Sequence, residues 1–158
     1  MPTGIQTYEL DALTDAVLTA SRVLVAVAAR SLAETEEQVS LAQYRVLVVL
    51  ASRGPQRLAD LAEALAVQPS TATRVSDRLV AKRLIRRQRA SADRREVRLG
   101  LTPAGWALVD EVTKRRRREI ARLLSALSVG ERQSLVGALR VLAEAAGEIP
   151  DPDWALGW

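Results

Sequence analysis

The chain has 158 residues, 48% of them hydrophobic, which suits one domain or one domain with helical extensions. It contains no cysteine and no histidine, so disulfides, thiolate metal sites and thiol redox sensing are excluded, and the commonest general base and metal ligand is missing. No cofactor or metal is expected, and an enzyme is the least favoured class, because no nucleophile–base pair, metal-ligand cluster or phosphate loop is visible.

The net charge of +4 conceals an uneven distribution. Residues 1–40 carry two bases and six acids, residues 53–98 twelve bases and five acids, and residues 99–149 eight bases and six acids. The positive field is local, as in a protein that touches a polyanion with one part. The N-terminus lacks a basic region followed by an apolar run, and no uninterrupted apolar run approaches the ~20 residues that span a bilayer. A cytoplasmic protein without a membrane partner is expected.

Leu10, Leu13, Val17, Leu24, Val27 and Leu32 recur at three- to four-residue spacing and predict a long amphipathic helix over 7–34. Ser40 with Gln43 fits a capping box for a second helix, 41–52, with Leu41, Tyr44, Leu47, Val48 and Ala51 inward. Gly54-Pro55 breaks the chain before a third short helix at about 58–66, with Leu58, Leu61, Ala62 and Leu65 inward. Pro69 suits the first position of a fourth helix, 69–83, with Ala72, Val75, Leu79 and Val80 toward the core. Its other face offers Ser70, Thr71, Thr73, Arg74, Asp77 and Arg78. Residues 84–89 and 96–101 read as two strands of a hairpin, with Val97, Leu99 and Leu101 in alternation. Thr102-Pro103 starts a fifth helix to about 126, and Ser128 with Glu131 caps a sixth, 129–147. The tail, 149–158, holds two prolines, two acids and two tryptophans. The fold class is mainly α: six helices with a two-stranded wing between the fourth and fifth.

From Arg74 to Arg98 there are ten bases and three acids, on a helix followed by a hairpin, which suits a phosphate backbone. A short helix, a tight turn and a second helix with a polar outer face follow helix-turn-helix logic, since the major groove admits a helix and displays distinguishable base edges. Ser70, Thr71 and Thr73 permit close approach, Arg74 is long enough to reach guanine, and Arg94 or Arg95 at the wing tip could enter the minor groove. Solvated surface is the competing reading of these arginines.

The stretch PSTATRVSDRLVAKRLIRR, the wing ADRREVRLGLT and the following PAGWALV resemble the MarR family of bacterial transcription regulators over roughly residues 8–148. The resemblance implies a winged helix-turn-helix homodimer that binds double-stranded DNA at a palindromic operator. Residues 1–40 and 103–148 would form the dimerisation lobe and 41–102 the DNA-binding domain. Leu10, Leu13, Val17, Leu135, Leu139 and Leu142 would lie in the dimer interface. Ser70, Thr71, Thr73, Arg74 and Arg78 would serve the major groove from helix 69–83. Within the wing, 84–101, Arg94 and Arg95 would serve the minor groove, and Asp93 would hold an arginine in place. Tyr44 and Trp106 fall on helices that border the family's effector cleft, where a small aromatic or amphipathic ligand would bind; a core role for both is the competing reading. The family's function implies a repressor released by such a ligand.

Two departures stand out. Ala90-Ser91-Ala92 replaces a longer acidic-Pro-basic wing tip, and Arg83 stands where the family usually has glycine, so an altered turn is expected after the recognition helix. A non-specific architectural DNA binder and a protein-interaction module on the same fold are the alternatives. The basic run Lys114 to Arg118 covers every side of its helix and so cannot serve one purpose.

Overall fold

The computed structural model describes residues 4–89 and 96–150, with side-chain placement from residue 8 onward. Six helices and one two-stranded antiparallel sheet follow in the order α1 (Gly4–Ala33), α2 (Leu41–Arg53), α3 (Leu58–Ala64), α4 (Pro69–Ala81), β1 (Ile85–Arg89), β2 (Val97–Leu101), α5 (Pro103–Leu124) and α6 (Val129–Ala145).

The predicted caps set the helix starts. The Gln43 N–H donates to Ser40 Oγ while the Ser40 N–H donates to Gln43 Oε1, and Ser128 and Glu131 repeat the same box. Thr102 Oγ1 accepts from the Gly105 N–H at 3.1 Å with Pro103 in the first turn of α5. Each box satisfies N–H groups that the first turn of a helix leaves without a partner.

α2 is the central helix. Tyr44, Val46, Leu47, Val49, Leu50 and Ala51 are all buried, so it is covered on more sides than its predicted inward face. Leu41, expected inward, is exposed instead, because it occupies the first turn, past the neighbours that cover the rest. Around α2 lie Leu61, Leu79, Leu84, Ile85, Leu99, Leu108, Val109 and Val112 in one core. The hairpin pairs Ile85 with Leu101 and Arg87 with Leu99, and Gln56 adds a short third rung through two hydrogen bonds to Leu99 of 2.7 and 2.9 Å. Val97, expected inward, is half exposed at the outer end of β2.

The two ends of the chain differ from this body. Only the C-terminal turns of α1 are buried, through Val27, Ala28, Ser31 and Leu32, while α6 buries no residue. By length and composition alone α1 could cross a bilayer, which a count of uninterrupted apolar runs does not anticipate. Its last turns are instead fastened to α5: Arg30 pairs with Glu119, and Arg115 reaches Glu34 at 3.4 Å and the Ser31 carbonyl. The basic run therefore divides. Lys114 and Arg115 pair along their own helix with Asp110 and Glu111, and Arg115 also binds α1.

Candidate nucleic-acid interface

The helix-turn-helix is built by two tight C-terminal caps. At the end of α3, Ala66 takes φ +52°, its N–H bonds to the Glu63 carbonyl and the Val67 N–H to Ala62, both near 3 Å. Pro69 then opens α4 after an extended Gln68. At the end of α4, Arg83 takes φ +59°, its N–H bonds to Val80 and the Leu84 N–H to Leu79. The altered turn expected from the missing glycine does not occur. A 5→2 and 6→1 bond pair, with Leu79 and Leu84 both buried, holds the arginine in the left-handed region at a cost of about 1 kcal/mol. The helix proper ends at Ala81, two residues before the predicted limit of 83.

The turn after α4 also explains the Leu-Thr-Pro-x-Gly sequence. Thr102 Oγ1 donates to the Arg83 carbonyl at 2.7 Å while capping α5. A Cβ on Gly105 would lie 2.1 Å from the Leu84 carbonyl oxygen, so only glycine lets α5 start against that turn.

On α4, Ala72, Ser76 and Leu79 are buried and turn the opposite face outward. Ser70, Arg74 and Arg78 are exposed, and no ion pair engages either arginine among the described residues. Thr71 and Thr73 are half-buried. The Thr73 hydroxyl donates to the Pro69 carbonyl at 2.9 Å, which leaves its oxygen free to accept from a base amino group. Asp77 faces β1 and pairs with Arg87 at 2.5 Å, fixing the wing base to the recognition helix.

Glu96 performs a similar task at the other strand, between Arg57 at 2.5 Å and Arg98. The hydrogen bond from Arg57, then that from Arg98, holds its carboxyl below its ordinary value of 4.5. Neither Asp77 nor Glu96 was legible as a wing anchor in the sequence. Asp77 and Arg87 are 10 residues apart, Glu96 and Arg57 are 39, and only the topology brings each pair together. Asp93, Arg94 and Arg95 lie outside the described residues.

The remaining predicted site residues separate into two sets. Tyr44 is buried, its hydroxyl 3.4 Å from Thr113 Oγ1. Trp106 is half-buried beside a hollow of about 240 Å³ bordered by Pro55, Arg86 and Gln88, which Tyr44 does not line. Leu10, Leu13 and Val17 on α1, and Leu139 and Leu142 on α6, are 43–63% exposed in the single chain, and Leu135 is half-buried.

The sequence profile of the MarR family matches residues 39–97, the span of α2 through the start of β2. The HTH-type transcriptional repressor MdtR of Bacillus subtilis is 36% identical over 111 residues, 70% of this chain and 72% of that protein. Among solved structures, RV1404 from Mycobacterium tuberculosis superposes with a TM-score of 0.82 at 46% identity, covering 89% of this chain and 96% of that one. BpsR of Bordetella bronchiseptica, whose structure concerns regulation of DNA binding by 6-hydroxynicotinic acid, superposes at 0.62 with 29% identity over 82% of this chain and 91% of its own. By this profile match, this identity to a repressor and this shared fold, the chain belongs to the MarR family of DNA-binding transcriptional regulators, which are not enzymes.

Proposed function

We propose that the protein is a homodimeric, sequence-specific repressor in which α4 enters the major groove and the wing, with Arg94 and Arg95 at its tip, the minor groove. The observation that carries this reading is the outward face of α4, where Ser70, Arg74 and Arg78 are exposed and the arginines are free of ion pairs among the described residues. Arg74 reads a base edge, and the hydroxyls of Ser70 and Thr71 serve phosphates or bases. Asp93 orients a wing arginine. Residues 41–102 act as the DNA-binding domain, 1–40 and 103–148 as the dimerisation lobe, and 149–158 as a tail. Work on DNA places the protein in the cytoplasm.

Dimerisation is supported by the apolar residues left exposed on α1 and α6, which neither helix covers within its own chain. Two-fold symmetry then gives a palindromic operator with half-sites about one helical turn apart, roughly 34–36 Å. The effector of BpsR supports a small aromatic ligand here too, acting by population shift between spacings of the two recognition helices. Tyr44 and Trp106, on helices that border the family's effector cleft, are the residues proposed to meet that ligand.

Fluorescence-anisotropy titration against DNA from immediately upstream of the protein's own gene, with a random duplex as control, tests the reading at two salt concentrations. A preference for the upstream DNA above roughly 10³ supports a specific autoregulator. Equal and steeply salt-dependent binding to both supports an architectural protein instead. Arg94→Ala should flatten the salt dependence by roughly 0.9 log units per lost phosphate contact.

A further inference from the structure

The outward row of α4 steps by four residues from Ser70 to Arg74 and Arg78, and the next step is Lys82. Spacing alone therefore assigns Lys82 to DNA with the other bases of the run. The structure spends it differently. The Lys82 ammonium donates to the Glu37 carbonyl at 2.6 Å, 45 residues away in the chain and in the connection between α1 and α2.

The acceptor is held from both sides. Upstream, the hydroxyl and the N–H of Thr35 both donate to the Leu32 carbonyl, at 2.7 and 3.0 Å, and Thr35 is buried. Downstream, Gln38 takes φ +47°, Val39 is buried in the core and Ser40 caps α2. With a buried side chain two residues away on each side, the Glu37 carbonyl is a fixed point, and its bond to an ammonium is charge-assisted.

The same end of α1 is tied to α5, through Arg30 with Glu119 and through Arg115 with Glu34 and the Ser31 carbonyl. It therefore meets α5 on one side and the C-terminal end of α4 on the other. Further up α1 lie Leu10, Leu13 and Val17, the exposed face proposed to meet a second copy. Lys82 thus joins the helix that would set the dimer to the helix that would read bases. An exposed lysine on a surface acceptor contributes little stability, so the contact governs an angle between elements rather than the fold.

We propose that Lys82 is a positioning residue: its ammonium props α4 against the α1–α2 connection and so sets the separation of the two recognition helices in the dimer, without touching DNA. The inference rests on the dimeric, DNA-binding reading of the chain. Successive bases of a strand rise by about 3.4 Å, so a change of that size in the separation loses the register between half-sites.

The chain has no cysteine, so Ser70→Cys places one spin label per copy at the start of α4. Double electron–electron resonance then reads the distance between recognition helices with no DNA present. Added to this parent, Lys82→Arg keeps a donor and should leave the distance distribution unchanged, whereas Lys82→Met should shift or widen it by about 3.4 Å. An unchanged distribution in Lys82→Met overturns the proposal. Absence of any dipolar signal in the parent overturns the dimer reading and the inference with it.

With Ser70 restored, Lys82→Met should lose the preference for the native half-site spacing over one lengthened by a base pair, while the salt dependence of binding stays as in wild type. A slope shallower by about 0.9 log units per lost contact, with the spacing preference kept, would make Lys82 a phosphate ligand and overturn the proposal. A lower melting temperature with both distances and spacing preference intact would reduce Lys82 to a favourable charge at a helix C-terminus, which overturns it as well. If wild type binds upstream and random DNA equally while the distances respond as expected, the base-reading function falls and the positioning role of Lys82 stands.

Discussion

Leu47, Leu50, Leu61, Leu79 and Leu84 in the winged-helix body are each at most 1% exposed, whereas Leu10, Leu13, Leu139 and Leu142 on the terminal helices are 49–63% exposed. The residue type is the same and the partner differs. The body completes its core within one chain, so its stability is its own. The terminal helices carry apolar side chains that the chain leaves exposed, the face proposed above to meet a second copy. Burying a leucine side chain contributes about 1.5–3 kcal/mol, so several such residues are a strong drive to associate.

That contrast can be broken first in the body. Leu79→Ala should cost about 2–5 kcal/mol in denaturant unfolding, because the side chain is fully buried between α4 and the core. A loss well under that range would mean the body is less self-contained than described. Gly105→Ala should also destabilise strongly, since the new methyl group meets the Leu84 carbonyl rather than a movable side chain. At the other extreme, Leu139→Asp with Leu142→Asp should leave the helical circular-dichroism signal of the body intact while sedimentation shows monomer. A persistent dimer would place the interface elsewhere.

Much of this organisation was readable from residue order. Ser40 with Gln43, Ser128 with Glu131 and Thr102-Pro103 mark helix starts because capping chemistry is local. Leu10, Leu13 and Leu139 announce apolar faces by their spacing, but spacing does not say whether a face is covered by its own chain. Val46, Val49 and Leu50 escaped because a helix covered on many sides loses its 3.6-residue contrast. The ties of Asp77 to Arg87 and of Glu96 to Arg57 escaped for another reason: nothing in local sequence specifies which charges a fold will juxtapose. Arg83 shows the converse, a residue disfavoured locally and held by hydrogen bonds that its neighbours supply.

A smaller effect sharpens the contrast at the wing. The carboxyl of Glu96 is lowered below 4.5 in the folded protein, chiefly by Arg57. Its contribution to stability is therefore present above about pH 4.5 and is lost as pH falls through the lowered value. Glu96→Gln should leave thermal unfolding less sensitive to pH between about 3 and 5 than in the wild type. Equal sensitivity would show that the ion pair with Arg57 is not maintained in solution. Asp77→Asn should be milder still in stability, under about 1 kcal/mol, because its pair with Arg87 is half exposed.

The central claim is that the exposed face of α4 reads bases, and Arg74→Ala tests it most directly. The ratio of affinities for the upstream operator and a random duplex, measured by anisotropy at one salt concentration, should fall by the equivalent of about 1–3 kcal/mol of discrimination. Random-duplex binding should weaken little. A variant that keeps the wild-type ratio would contradict base reading by Arg74 and reduce it to a solvated charge.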